Sequence, residues 1–301
     1  MRRLAIFVGV LCCFAVAGCG QPPPSEEQGD GNSAPETTAE ATSEETTTEE
    51  TTVVDVGGNP DLAEAADAYE EYVAGEIVLL EDRTEPFVDA VLAGEVERAK
   101  ELYAPAREPW ERIEPIAAQL GDYDPEIDAR EGDVPDEEWG GFHRIEKALW
   151  VENTTEGQEK YARGLMEDVR NLRGEIEGLE LEPVDLVTGS VELLNEVSAG
   201  KITGEEERYS HTDLYDIQAN VEGSEAAFDE LKPEVAGEDL ALANDIEEGF
   251  DQVYEELDQY RRGDGWVSYE ELDEAERRAL SQKVDALAEP LSRAGQVLEK
   301  G

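Results

Sequence analysis

Trp139-Gly-Gly-Phe-His-Arg-Ile-Glu-Lys-Ala-Leu-Trp150 reads as a short amphipathic helix. At about 100° per residue, Phe142, Ile145 and Leu149 share an arc of roughly 60°. Trp139, His143, Glu146 and Trp150 lie on the arc beside it, and Arg144, Lys147 and Ala148 take the opposite side. One imidazole and one carboxylate, three residues apart and therefore neighbours on a helix surface, thus project along the edge of the apolar stripe. A half-buried Glu without a partner protonates or finds a cation, and a His and a Glu on one helical face is how helical bundles present metal ligands. The blander reading is a boundary His and Glu that satisfy each other. Against it stand the scarcity of histidine, two in the whole chain, and the Gly140-Gly141 pair, which permits close backbone approach at the helix start.

Helical periodicity continues on both sides. Leu62 to Ala93 carries apolar residues at Ala66, Tyr69, Val73, Ile77, Leu80, Phe87, Val91 and Leu92, close to a 3.6 period, and Gly94 interrupts it. Val96 to Tyr103 resumes the pattern. Pro105, Pro109 and Pro115 then punctuate 104–116, which reads as two short helices or one kinked one. Turn clusters at 121–125 and 131–135 place Asp128, Arg130 and Glu131 on a loop before the central helix. Further helices are expected at about 157–178, 184–199, up to Pro233, 239–262 and 269–298. No strand of useful length follows Gly57, so the expected class is all-α. A loose echo of Ala93-Gly94, Leu102-Tyr103 and Glu114-Pro115 in Ala199-Gly200, Leu214-Tyr215 and Lys232-Pro233 suits two stacked helical bundles.

The N-terminus reads differently. Met1-Arg2-Arg3 and the apolar run Leu4 to Val16 form a signal peptide, too short for a comfortable membrane span. Val16-Ala17-Gly18-Cys19 matches a bacterial lipobox, so residues 1–18 would be removed and Cys19 lipidated. Cys12 and Cys13 leave with the signal, so the mature chain has no disulfide and no cysteine metal site. Residues 19–56 then form a Pro-, Thr-, Ser- and Glu-rich linker. From Gln21 to Val56 it carries ten acidic residues and no Lys or Arg, and it is expected to be a disordered, self-repelling tether. Residues 57–301 are the helical domain. The implied location is extracytoplasmic, with membrane contact only through the lipid on Cys19.

With a formal net charge of −52, the chain is no nucleic-acid binder, since phosphates demand Lys and Arg. The acidity suits cationic partners or a well-solvated surface in a saline habitat. Catalytic templates fail: there is no His-Glu-x-x-His, and Lys147 follows Glu146 where the inverted motif needs His. No nucleophile elbow, Walker loop or dinucleotide fingerprint appears, and no catalytic residue is assigned.

Gly141-Phe-His-Arg-Ile-Glu-Lys-Ala-Leu-Trp150 resembles the G-x-H-x-x-E signature of the imelysin-like family, in its EfeO/EfeM branch of bacterial iron-uptake proteins. The resemblance extends to Leu102-Tyr-Ala-Pro-Ala-Arg-Glu-Pro-Trp-Glu-Arg-Ile-Glu-Pro115, Ile127-Asp-Ala-Arg-Glu131 and the run from Tyr209 to Gly223. It implies a pair of four-helix bundles with a metal site between helices. The implied role is capture of iron outside the cytoplasm and transfer to a membrane iron permease, alongside a haem-dependent peroxidase. Longer members begin with a copper-binding cupredoxin domain. Here that region is only the tether, so this chain is similar to the short form.

Carried across residue by residue, the resemblance gives His143 and Glu146 as metal ligands, with Glu114 and Asp128 next; Glu76, which interrupts an apolar run before Ile77, is a further candidate, and each of these three acids also reads as a solvated carboxylate. His211, Asp213 and Asp216 are candidates for the same cleft from the second bundle, although His211 equally suits a cap or packing role beside Ser210 and Thr212. Arg107 and Arg130 read as holders of carboxylates. A carboxylate-rich shell with one imidazole suits iron, ferrous or ferric, with zinc or copper as alternative ions. Two other functions stay open: an imelysin-type metallopeptidase, and a structural or adhesive helical lipoprotein with a vestigial HxxE.

Overall fold

The computed structural model describes residues 59–298, which fall within one unit of the chain. The signal peptide, Cys19 and the tether through residue 56 lie outside the described residues. The all-α expectation holds among the described residues: nine α-helices and a β-ribbon of two two-residue strands.

Helix α1 spans Pro60–Ala93. Asn59 caps it by accepting from Asp61 N at 3.0 Å, Pro60 supplies a preset φ at its first position, and Gly94 ends it in the left-handed region. Its stripe Tyr69, Val73, Ile77, Leu80 and Phe87 is fully buried. Helix α2, Val96–Ile113, runs unbroken through Pro105 and Pro109 where a break or kink is the sequence expectation. Pro109 has no N–H to give the Pro105 carbonyl four residues back, and Arg83 of α1 donates to that carbonyl instead, at 3.1 Å. The helix changes character only at Glu114–Gln119, a 3₁₀ segment opened by Pro115.

Helix α3 (Tyr123–Asp128) leads through a loop to α4 (Gly141–Lys147), which starts two residues later than Trp139. From Ala148 to Glu152 the expected continuation is a π-helical turn, closed by Asn153 in the left-handed region. Gly141, at φ 68°, lies against the Ile127 carbonyl, where a Cβ would collide. Only glycine lets the start of α4 approach the end of α3 this closely.

Next come α5 (Glu159–Glu175), α6 (Pro183–Ala199), α7 (Asp213–Glu238), α8 (Leu240–Leu257) and α9 (Glu274–Leu298). Helix α7 does not stop at Pro233 but continues to Glu238. The carbonyl that Pro233 leaves without a donor belongs to Asp229, an exposed residue where water can serve it. Strands β1 (Arg261–Arg262) and β2 (Gly265–Trp266) pair antiparallel across a tight turn between α8 and α9, a feature too short to show as periodicity.

Helix α1 packs on α2, α5 and α7; α9 packs on α6 and α8, and all three pack on α7. Helix α7 therefore touches both groups. Gly223 in α7 allows its backbone to lie on the Arg112 carbonyl of α2. The start of α7, the middle of α2 and α4 converge on one buried polar region. No helix among the described residues is long and apolar enough to cross a membrane.

Candidate metal centre

Helix α2 contributes Tyr103, Arg107 and Glu111, spaced by four and so on one face, each fully buried. A guanidinium without solvent needs anions around it. Arg107 pairs with Glu111 and with Asp128 at the end of α3, and its Nε lies 2.7 Å from Glu207 Oε1. Asp216 Oδ1 stands 3.6 Å away and Glu206 Oε1 3.9 Å. The expected role of Arg107, holding carboxylates, is what its surroundings show. Arg130 does likewise, donating to Glu206 at 2.8 Å and Asp133 at 3.1 Å.

Helix α4 brings His143 and Glu146 to the same place, both essentially inaccessible to solvent. His143 Nδ1 lies 3.3 Å from Glu146 Oε2 and 3.4 Å from Tyr103 Oη. His143 Nε2 lies 3.4 Å from Asp128 Oδ1 and 3.7 Å from Glu206 Oε1. The second oxygen of Glu146 accepts from two backbone amides, Tyr209 N at 3.0 Å and Ser210 N at 2.8 Å. These bonds tie the 204–212 loop to α4. Glu207 in that loop accepts from Tyr103 Oη at 3.2 Å and Ser210 Oγ at 2.5 Å.

Two donor sets result: Asp128, His143 and Glu206; and His143, Glu146 and Glu207. Within each set the donor atoms lie within 4.8 Å of one another. Hard carboxylate oxygens with one imidazole fit iron in either oxidation state better than a soft ion.

Negative charge is in excess here. Against Arg107, Lys201 and His143 stand Glu111, Asp128, Glu146, Glu206, Glu207, Asp213 and Asp216, all little exposed. Burial and Arg107 push the His143 pKa down, but the Asp128, Glu146 and Glu206 carboxylates more than reverse this and hold it well above the usual range. Burial pushes Glu207 up to about 8, aided by the charge of Glu146, and burial lifts Asp213 to about 7. Glu206 is also buried, yet Lys201 and His143 hold it at about 2. Burial likewise opposes ionisation of Glu146, which His143 and the two loop amides nonetheless keep below its ordinary value. A buried cluster with surplus acids accommodates itself by taking up protons or a cation.

The imelysin (peptidase M75) family model matches residues 65–294. The chain belongs to the imelysin family. Among its relatives, an EfeM/EfeO family lipoprotein of Staphylococcus haemolyticus is 44% identical over 243 residues, covering 79% of this chain and 85% of that protein. The iron uptake system component EfeO of Escherichia coli O1:K1 is 46% identical over 241 residues, again 79% of this chain but 64% of that protein. EfeO of strain K12 is 45% identical with the same coverage. This imelysin chain thus spans less than two thirds of the length of those E. coli relatives.

In this imelysin domain the candidate residues divide. His143, Glu146, Asp128, Asp213 and Asp216 fall in one buried cluster: Asp128 and Asp216 face Arg107, and Asp213 accepts from Glu207 N at 3.3 Å. Glu114 lies one step away, held by Lys201 Nζ at 2.6 Å and Asn220 Nδ2 at 2.7 Å. Glu76 is elsewhere: it faces Arg112 at 3.4 Å, whose Nε is 2.7 Å from Glu222. His211 takes a left-handed φ of 57° and turns toward Glu270, 3.7 Å away, rather than toward His143. Its carbonyl accepts from Tyr269 N at 2.9 Å, and the side chain of Thr212 makes no cap bond to α7. Glu206, Glu207, Glu111 and Lys201 are additions that sequence reasoning misses. In a chain with 76 acidic residues, Glu205-Glu206-Glu207 reads as a solvated run. The one available signal is Gly204 before it and Tyr209-Ser210 after it, a turn leading into a motif of the family.

Proposed function

We propose that this chain is a lipid-anchored iron-binding protein of an uptake system, held outside the cytoplasm by Cys19. It captures iron at His143 and passes it to an iron permease in the same membrane, with a haem-dependent peroxidase as a further partner. The observation that carries this reading is the fully buried imidazole with carboxylates at both ring nitrogens, inside a cluster whose acids outnumber its cations. That relatives are named as iron uptake components supports iron as the metal. His143, Glu146, Asp128, Glu206 and Glu207 are the proposed ligands, and Arg107, Lys201, Tyr103 and Ser210 position them.

The domain acts as a carrier, not an enzyme. One histidine at the site leaves a peptidase zinc without its usual shell, although the family bears a peptidase name. Calorimetric titration of the purified protein with ferrous, ferric, zinc and copper ions, beside a His143→Ala, Glu146→Ala variant, tests the assignment. The expected result is one tight iron site that the variant weakens by at least about 100-fold while its helical circular dichroism is unchanged. Equal weak binding by both proteins would leave only an acidic surface attracting cations. Cleavage of a generic protein substrate that stops in the variant would favour the peptidase.

A further inference from the structure

Glu206 and Glu207 are adjacent in the chain yet serve opposite edges of one ring. Glu206 joins Asp128 beside Nε2, and Glu207 joins Glu146 on the Nδ1 side. Nε2 is buried and accepts or donates no hydrogen bond. The two sets differ in access. Asp128 and Glu206 border a cleft of about 370 Å³ between α3 and α6, and Glu146 and Glu207 do not. The wall of this cleft carries Asp124, Asp133, Asp185, Glu192 and Glu196, and Arg130 is its only cationic lining residue. A cleft lined by one sign of charge concentrates counter-ions.

On the reading that His143 binds the cargo, we propose that the site has two stations in series. A cation enters by the acidic cleft, is first held by Asp128, Glu206 and Nε2, and then passes to Glu146, Glu207 and Nδ1. A neutral imidazole offers one lone pair at a time, so the stations share one ion. When one nitrogen ligates, the other carries the N–H and donates to the opposite carboxylates, which fixes the ring as outer-shell partners do. As the ion passes inward, Nδ1 gives up its proton to solvent and Nε2 takes one up from water in the cleft, so the ring stays neutral and no net proton is gained. The outer station exchanges with solvent and the inner one retains.

Stopped-flow absorbance with Co²⁺ as the probe separates the steps. The wild-type protein should show a first phase that scales with Co²⁺ concentration and slows with added salt. A second, concentration-independent phase should follow, with a final stoichiometry of one. Glu146→Gln with Glu207→Gln should keep the first phase and lose the second. Glu192→Gln with Glu196→Gln changes two exposed side chains outside the buried network. It should slow the first phase about threefold or more at low salt and leave the stoichiometry at one. A single concentration-dependent phase in wild type, or an unaltered first phase in the Glu192, Glu196 variant, overturns the two-station scheme while the site itself stands. Identical Co²⁺ binding by wild type and His143→Ala overturns the site and the scheme together.

Discussion

Arg107 Nε lies 3.6 Å from Asp216 Oδ1, and neither oxygen of Asp216 has a hydrogen-bond partner. One guanidinium faces five acids, and Asp216 is the one among them whose carboxylate makes no hydrogen bond. Burial holds the Asp216 carboxyl well above its usual range even with Arg107 beside it. Removing the cation would strand Glu111, Asp128 and Glu207 as well. Arg107→Met should therefore cost about 3–5 kcal/mol of stability in urea unfolding with chelator present. Saturating divalent cation should recover part of the loss, because a bound ion supplies charge to the same oxygens. A cost within the scatter of surface substitutions would show that the cluster does not depend on Arg107.

The acids whose pKa is raised give the protein a pH signature. Glu207, at about 8 when folded, keeps its proton over a range in which the unfolded chain has released it. Its contribution to stability is full below the ordinary carboxylate range and is lost as pH rises toward about 8. Asp213 behaves alike up to about 7. Glu206, held at about 2, works the other way: its contribution is present above the ordinary range and lost as pH falls toward 2. With chelator present, stability should fall from pH 5 to pH 8, and Glu207→Gln should flatten that slope by about one proton. Urea midpoints at several pH values measure both. Retention of the full slope in the variant would assign it to the surface acids instead.

Gly141→Ala places a methyl group against the Ile127 carbonyl at a positive φ. Overpacking and the left-handed conformation together should cost about 2–4 kcal/mol. Because the clash pushes α4 from α3, it also parts His143 from Asp128. Metal affinity should fall along with the unfolding midpoint, although no ligand has changed. Wild-type affinity in a folded Gly141→Ala protein would separate Asp128 from the site.

Glu76→Gln should leave metal affinity within about twofold of wild type, since Glu76 answers to Arg112 and not to His143. The change removes one partner of a half-buried ion pair and should cost about 1 kcal/mol or less. Calorimetry on this variant checks whether the α1 acid stands outside the site. A large loss of affinity would return Glu76 to it.

Local rules made most of the fold legible. The spacing of Tyr69, Val73, Ile77, Leu80 and Phe87 specifies α1, and Gly94 specifies its end. The prolines at 105, 109 and 233 mislead because their lost hydrogen bonds are answered from outside the local sequence, by Arg83 for one and at an exposed carbonyl for another. At the centre, His143 and Glu146 are legible because three residues apart on a helix means adjacent. Asp128 needed the family resemblance, since nothing in a turn-rich loop says where it folds. Glu114 follows from the same resemblance and Glu76 from its place in an apolar run, but Lys201 claims one and Arg112 the other, and such long-range pairs leave no periodic trace. Glu206 and Glu207 were hidden by abundance: acidity that marks a site in an ordinary protein is background here.

The carboxylates nearest His143 come from Asp128, Glu146, Glu206 and Glu207, so the centre does not belong to any one segment. A chain that has formed α1 through α6 already contains the whole HxxE motif and still lacks half of the oxygens, because the 204–212 loop has not yet docked onto Glu146. Contacts of such sequence separation form late and slowly. On the proposed reading, tight metal binding is thus a test of completion: a molecule whose 204–212 loop has not closed should hold no ion tightly.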